Sequence, residues 1–440
     1  MRVASTVLLA SLVFLTGAAS VRADALAKIV AEKLEATHKA IAAFKAARQE
    51  IKRPGPFQDF RANMHVHSAF SHDSRGKIDD IVGAAKKVNT RILMFTEHPS
   101  DKYDYFKDGH QGMRDGVLLI PGAETEGFLV YPTQSMKGLG KLKPQELCDF
   151  VVTRGGLMFV SHLEERMGWD ISGVTGNEIY NTHADFKDEK ALVGAMRNPL
   201  WIFKTGELIR KYPQEVFSAL QDYPKDYLRR WDELCVRVPH TGVAANDSHQ
   251  NVGVVAKVGE GSKIIVEDAL GEKVATLDPA KVPLLAPLSA GKKVGDVLFD
   301  VRLDRYQFSL GHVGTHLLLS ELKKEAVWEA LRDGRAYVSF DWLADPTGFD
   351  FSANVSGQRH EMGGRFPLER EEMKLTAQAP LPVQWKLIRN GKVVKESKGN
   401  RFEHVTQELG VYRIEAWLDV AGEPMIWILS NPIYVRPLTR

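Results

Sequence analysis

Phe60-Arg61-Ala62-Asn63-Met64-His65-Val66-His67-Ser68-Ala69-Phe70-Ser71-His72-Asp73 is the stretch on which the reading of this chain turns. The apolar-rich run Phe60 to Val66 predicts a strand that delivers His65 and His67, with Asp73 just beyond. Side chains two apart on an extended segment share a face, so both imidazoles can reach one cation. A second strand-like run, Thr241 to Ala245, leads into Asp247-Ser248-His249 with the same spacing. The two pairs predict one metal site.

Working outward, His98 follows the run Arg91 to Phe95, Glu124 follows Val117 to Ile120, and His162 follows Leu157 to Val160. Glu178 to Tyr180 is a further short strand, and helix-patterned stretches such as Ile78 to Val88 and Glu215 to Cys235 separate the runs. Strand and helix in alternation predict an α/β region of parallel strands with outer helices, as an open sheet or a barrel. Every candidate ligand falls at the carboxyl end of a strand, where a closed barrel gathers its site. Oxygen and nitrogen donors without cysteine suit Zn²⁺, Mn²⁺ or Fe²⁺. His65, His67, Asp73, His98, Glu124, His162, Asp247 and His249 are too many for one ion, so two or three divalent transition-metal ions are expected, with Glu124 as bridge. Such ions activate water and clamp the attacked and leaving oxygens, which is the chemistry of hydrolysis, especially at phosphorus. Glu124, Asp247 and His249 carry the catalytic expectation.

Composition sets the outer bounds. The chain has 440 residues, 44% hydrophobic and 26% charged, enough for more than one domain. With 58 Lys and Arg against 56 Asp and Glu, no charge excess points to nucleic acid. Residues 1–23 read as an export signal: Arg2, the apolar stretch Val7 to Leu15, and a small-x-small site at Val21-Arg22-Ala23 that would leave Asp24 first. A secreted protein of the bacterial periplasm is expected, with no transmembrane segment in the mature chain. Cys148 and Cys235 sit in apolar contexts that suit buried thiols, although a disulfide is possible in an oxidising compartment.

Residues 24–56 read as a helix, Ala25 to Arg48, stopped by Pro54-Gly55-Pro56. The α/β region runs over residues 57–335, closing with a helix at Leu317 to Leu331; residues 250 to 310 carry short β-like runs at Lys263 to Val266, Lys293 to Leu298 and Val301 to Leu303. Over residues 341–440 short strands alternate with turns, as in Met373 to Ala377, Val383 to Ile388 before Asn390-Gly391, Val411 to Leu418 and Met425 to Val435. That texture predicts a C-terminal antiparallel β-sandwich-like domain.

The run from His65 to Asp73, then Thr96-Glu97-His98, Pro121-Gly122-Ala123-Glu124, Ser161-His162 and Asn246-Asp247-Ser248-His249, resembles the motif series of the PHP (polymerase and histidinol phosphatase) superfamily. The resemblance is strong over residues 57 to 250 and implies a distorted (β/α)7 barrel, a bi- or trinuclear centre and hydrolysis, most often of phosphoesters. Carried over by position, His65, His67, Glu124 and Asp247 hold one ion, Asp73, His98 and His249 a second, and His162 with Glu124 begins a third. Members with a full third site commonly supply a histidine just beyond the bridging glutamate, whereas Glu124-Thr125-Glu126-Gly127-Phe128-Leu129-Val130-Tyr131 has none. Glu126 is the expected substitute if the strand continues; His183 is another, and a binuclear centre is the alternative.

Arg75, Lys102 and Arg166 lie near the ligand loops as candidate contacts to a small-molecule or envelope-derived phosphoester. Hydrolysis of a carboxylic ester or amide is one alternative, and a non-catalytic, metal-containing envelope-binding protein another. Glu178 and Asn181 are expected to be structural, His72 to point away from the site, and His312 and His316 to be exposed or to cap the closing helix.

Overall fold

A computed structural model of the chain describes residues 25–196, 199–282, 285–369 and 371–437. The export segment expected over residues 1–23 lies outside the described residues. Among the described residues no helix is long and apolar enough to cross a membrane. The N-terminal helix forms as Ala25–Lys28 and Ala31–Ala47, and His38 ties it to Glu215 through a 2.6 Å contact from Nδ1 to Oε1.

Strand Gln58–Val66 lies parallel to Ile92–Phe95, which lies parallel to Val117–Ile120. Ile92–Phe95 and Val117–Ile120 are buried at every residue, the pattern of strands covered on both faces. A second sheet runs Ala123–Thr125, Phe128–Tyr131, Leu157–Val160, Gly176–Asn181, Thr241–Ala245, its last three strands parallel. The two sheets touch through isolated bridges, Val66 to Ser248 and Glu97 to Ala123, both at carboxyl ends of strands. Of the expected distorted (β/α)7 barrel the structure shows a mixed α/β arrangement of two bridged sheets; among the described residues no continuous ladder closes a ring. The cause is local. Glu126 and Gly127 take φ of 48° and 82°, reversing the chain into an antiparallel hairpin where a barrel would need a crossover helix.

On its other edge Gln58–Val66 pairs antiparallel with Gly314–Leu319, which pairs with Ala336–Ser339, which pairs in turn with Glu423–Ser430. One sheet thus runs without a break from the α/β region into a large sheet-rich C-terminal region. There Asn390-Gly391, both at positive φ, turns the long strand Met373–Arg389 into Lys392–Thr406. Met373–Arg389 pairs with Asp350–Val355 through its first part and with Gly410–Val420 through its second, beyond a break in its pairing with Lys392–Thr406 between Gln378 and Val383. A strand that changes partners at such a break serves two layers of a folded sheet. The core beneath holds Trp385, Trp427 and Phe349 together with Leu228, Trp231 and Cys235 from helix Lys225–Arg237, so the two regions share apolar packing. Cys148 and Cys235 are free, buried thiols in different clusters.

The closing helix is shorter than expected. Leu317, Leu318 and Leu319 belong to a strand, and the helix is Lys324–Asp333. His316 is consequently buried mid-strand, with Nδ1 2.8 Å from Asp59 Oδ1 and Nε2 3.1 Å from Asp341 Oδ1, and His312 is buried against Tyr180 and Ser218. Burial alone would push the His316 pKa down, but the two carboxylates carry it up to about 10. A folded-state pKa raised above the unfolded value contributes stability that is complete below about pH 6.5 and is lost as pH rises through about 10. The melting-temperature gap between wild type and His316→Gln should therefore narrow steadily from pH 6.5 to 10; a constant gap would show that the imidazolium does not stabilise the fold.

Candidate metal centre

Five strand ends and the loops after them bring the predicted ligands together. His65 Nε2 lies 3.3 Å from Glu124 Oε2 and 3.1 Å from Asp247 Oδ1, and His67 Nε2 lies 3.6 and 3.5 Å from the same two oxygens. Asp73 Oδ2 stands 3.3 Å from both His98 Nε2 and His249 Nε2. Glu124 also reaches His98 Nδ1 at 3.9 Å and, through Oε1, His162 Nε2 at 3.1 Å. Two groups have the spacing of metal sites, His65, His67, Glu124, Asp247 and His67, Asp73, His98, His249. The His67 ring stacks on His249 at 3.9 Å, joining them.

The fit to cations shows in what is missing. Among the described residues, His65 Nε2, His67 Nε2, His249 Nε2, Asp73 Oδ1 and Asp247 Oδ1 are buried without a hydrogen-bond partner. Orphaned buried polar atoms are costly unless something else satisfies them, and these five belong to residues of the two groups, whose nitrogen and oxygen donors match those of divalent ions. Backbone strain collects there too: His162 and Asp247 hold φ of 45° and 50°, the left-handed region where non-glycine residues are costly.

Within the cluster the imidazoles and carboxylates shift one another's charge strongly. Burial opposes charge on His65, yet Asp247 and Glu124 hold its pKa well above the ordinary value; contacts to Glu124 and Glu164 likewise lift His162 to about 10, and Asp247 and Asp73 lift His249 to about 9. His67, buried beside those positive rings, is driven down to about 3. Against the cost of burial, Glu124 and Asp247 are held well below the carboxylate range by the surrounding imidazoles.

Each central imidazole is aimed by a partner behind it. His65 Nδ1 donates to Glu178 Oε1 at 2.8 Å, while Glu178 Oε2 accepts from the His162 N–H at 2.8 Å and from Asn181 Nδ2 at 2.9 Å. His67 Nδ1 donates to Ser71 Oγ at 3.0 Å, and Ser71 donates to Glu97 Oε2 at 2.7 Å. Both Nδ1 atoms are thus occupied and both Nε2 atoms face the cluster. Sequence reasoning quoted Glu97 within Thr96-Glu97-His98 without weighing it and set Glu178 aside as structural; Glu97 at least stands beside a ligand, whereas Glu178 lies 16 residues from His162 and gave no such signal. Glu178→Gln should weaken metal binding about tenfold to a hundredfold, the usual cost of losing such support. Titration against a competing chelator measures it, and unchanged affinity would remove Glu178 from the supporting shell.

Other expectations fare differently. Glu126 stands in the hairpin turn, 3.7 Å from Lys141 Nζ, because the strand ends at Thr125; it does not complete a third site. His183, at the start of helix Thr182–Asp188, joins the cluster through a 2.7 Å contact from Nδ1 to Asp247 Oδ2. Arg75 is exposed and bonds the carbonyls of His72 and Ser74; Arg166 bonds those of Ser161 and His162, bracing the loop that carries His162. Lys102 is exposed in a turn, its N–H on Ser100 Oγ. His72 is exposed, 4.0 Å from Asp73.

Residues 63–194 match the PHP domain family. No curated protein matches the sequence. Among solved structures, the chain is similar to a two-domain protein from Bacteroides vulgatus containing a predicted PHP-like metal-dependent phosphoesterase. The identity is 12%, covering 87% of this chain and 98% of that one, at a TM-score of 0.36. The match to the PHP domain family thus covers residues 63–194, and a further, sheet-rich C-terminal region follows in the same chain.

Proposed function

We propose that this chain is an exported metal-dependent phosphoesterase. The observation that carries the reading is that buried atoms without a hydrogen-bond partner, His65 Nε2, His67 Nε2, His249 Nε2 and Asp247 Oδ1 among them, belong to the two groups with metal-site spacing. His65, His67, Glu124 and Asp247 would hold one divalent ion, and Asp73, His98 and His249 a second, with His67 near both. His162, bonded to Glu124 and 3.5 Å from Asp247 Oδ2, and His183 on Asp247 are the chain's groups for a third. Ions bound there supply an activated water and charge to stabilise the developing oxyanion. The chain's own contribution is to fix the donors: Glu178 and the Ser71–Glu97 pair hold two imidazole tautomers, and Arg166 braces the His162 loop. His183 is partly exposed and anchored by one ring nitrogen, so its other nitrogen is placed to move a proton at the mouth. Export rests on the order of charged, apolar and small residues in 1–23, with the periplasm as destination.

The test is a panel of phosphomonoesters, phosphodiesters and carboxylic esters offered to the chain from Asp24 onward, reconstituted with Mn²⁺, Zn²⁺ or Fe²⁺, with metal content measured by elemental analysis. At least two ions per chain and turnover of a phosphoester are expected. Fewer than two ions, or turnover confined to carboxylic esters, would overturn the reading.

A further inference from the structure

Beside the metal ligands, Phe186, Phe217, Leu220, Val252 and Leu303 wall a small cleft, partly open to solvent, whose lining also includes His183 and Asp247. The carboxylate that lies 3.1 Å from His65 Nε2 and contacts His183 therefore also borders the cleft, so the cleft adjoins the ligand cluster. We infer that this cleft binds an alkyl or aryl group carried by the molecule whose polar head sits at the metal centre, an inference that rests on the hydrolase reading of that centre.

Away from His183 and Asp247, the polar side chains of the walls make hydrogen bonds within the chain. Asn246 Nδ2 donates to the carbonyls of Ser309 and Val313 at 2.9 and 2.7 Å, and its Oδ1 accepts from Asn63. Asp304 accepts from the N–H groups of Asn251 and Val252 at 2.8 and 2.9 Å, and Thr182 Oγ1 donates to the Ala245 carbonyl at 3.3 Å. Away from those two residues the surface left to a ligand is mainly hydrocarbon, so a sugar or nucleotide entering there would lose water and regain few hydrogen bonds, whereas an apolar group suits it. The walls are backed: Leu220 and Leu303 belong to a buried cluster that includes Ala25 of the short helix Ala25–Lys28 and Ile29 just after it. A pocket with packed walls and polar ligands on one side has the form of a site for an amphiphilic small molecule.

The experiment measures binding, by calorimetry on the metal-loaded chain, of methyl-, butyl- and phenylphosphonate and, in a second arm, of acetate, valerate and phenylacetate. In whichever series binds, the phenyl member should bind at least about tenfold tighter than the methyl member, the gain following the buried apolar area. Val252→Phe, which fills the cleft from a partly exposed position, should reduce that ratio to about one. If methyl and phenyl members bind alike, or the ratio survives Val252→Phe, the cleft is not the apolar subsite. If phosphonates fail to bind while the carboxylates show the full ratio, the phosphoester reading fails and the cleft stands. If neither series binds, both fail.

Discussion

Replacing Glu124 with Gln is expected to strip metal from the centre and to lower hydrolysis by on the order of a thousandfold, the upper range for losing one preorganised charged group. Its two oxygens serve different partners, Oε2 facing His65, His67 and His98 and Oε1 facing His162. Gln keeps the shape but offers one neutral acceptor, leaving the repulsion between neighbouring cations less compensated. His162→Ala should cost less, because His162 lies in neither of the two groups with metal-site spacing. Metal per chain and rates at saturating metal, compared across wild type and both variants, decide the matter. Full metal and rate in Glu124→Gln would end its bridging role, and equal inactivity of His162→Ala would favour a three-ion centre completed by His183.

The largest stability loss is expected at Arg413→Met. Arg413 reaches from strand Gly410–Val420 to both oxygens of Asp232 on helix Lys225–Arg237, at 2.7 and 2.8 Å, and to Glu415 at 2.7 Å. All three side chains are nearly inaccessible, so removing the guanidinium leaves an uncompensated buried carboxylate, at a cost of about 3–5 kcal/mol. Glu415 keeps donors in Tyr223 and Trp417, whereas Asp232 has no comparable second donor among the contacts described. Adding Asp232→Leu to Arg413→Met should therefore recover much of the loss in a denaturant titration. A single variant as stable as wild type would show the pair contributes nothing across the two regions.

The ligand set was legible because each member sits in a short motif at the end of an apolar run, where strand geometry alone fixes its direction. His65 and His67 share a face for that reason, and Asp247 with His249 likewise belongs to the cluster. Glu126 misled because the same alternation was extended one residue past the strand; a positive φ at Glu126 ends it. Leu317-Leu318-Leu319 was ambiguous in principle, since a short apolar run has no period to separate strand from helix. The roles of Glu97, Glu178 and His183 depend on which strands become neighbours, information that no local pattern holds. The ring closure expected from the PHP resemblance gave way to two sheets because a two-residue turn reversed one strand.

The pairing of Gln58–Val66 with Gly314–Leu319 sets an order of events for synthesis. Ala62 faces Thr315 across that ladder, so the strand that presents His65 and His67 gains this neighbour only after some 250 further residues have been made. All eight ligand residues leave the ribosome before the sheet that orients them exists. A nascent chain can offer loose imidazoles and carboxylates, but not the geometry that selects one ion over another. Selection belongs to the finished fold, and it is made from whatever metals are present where folding ends.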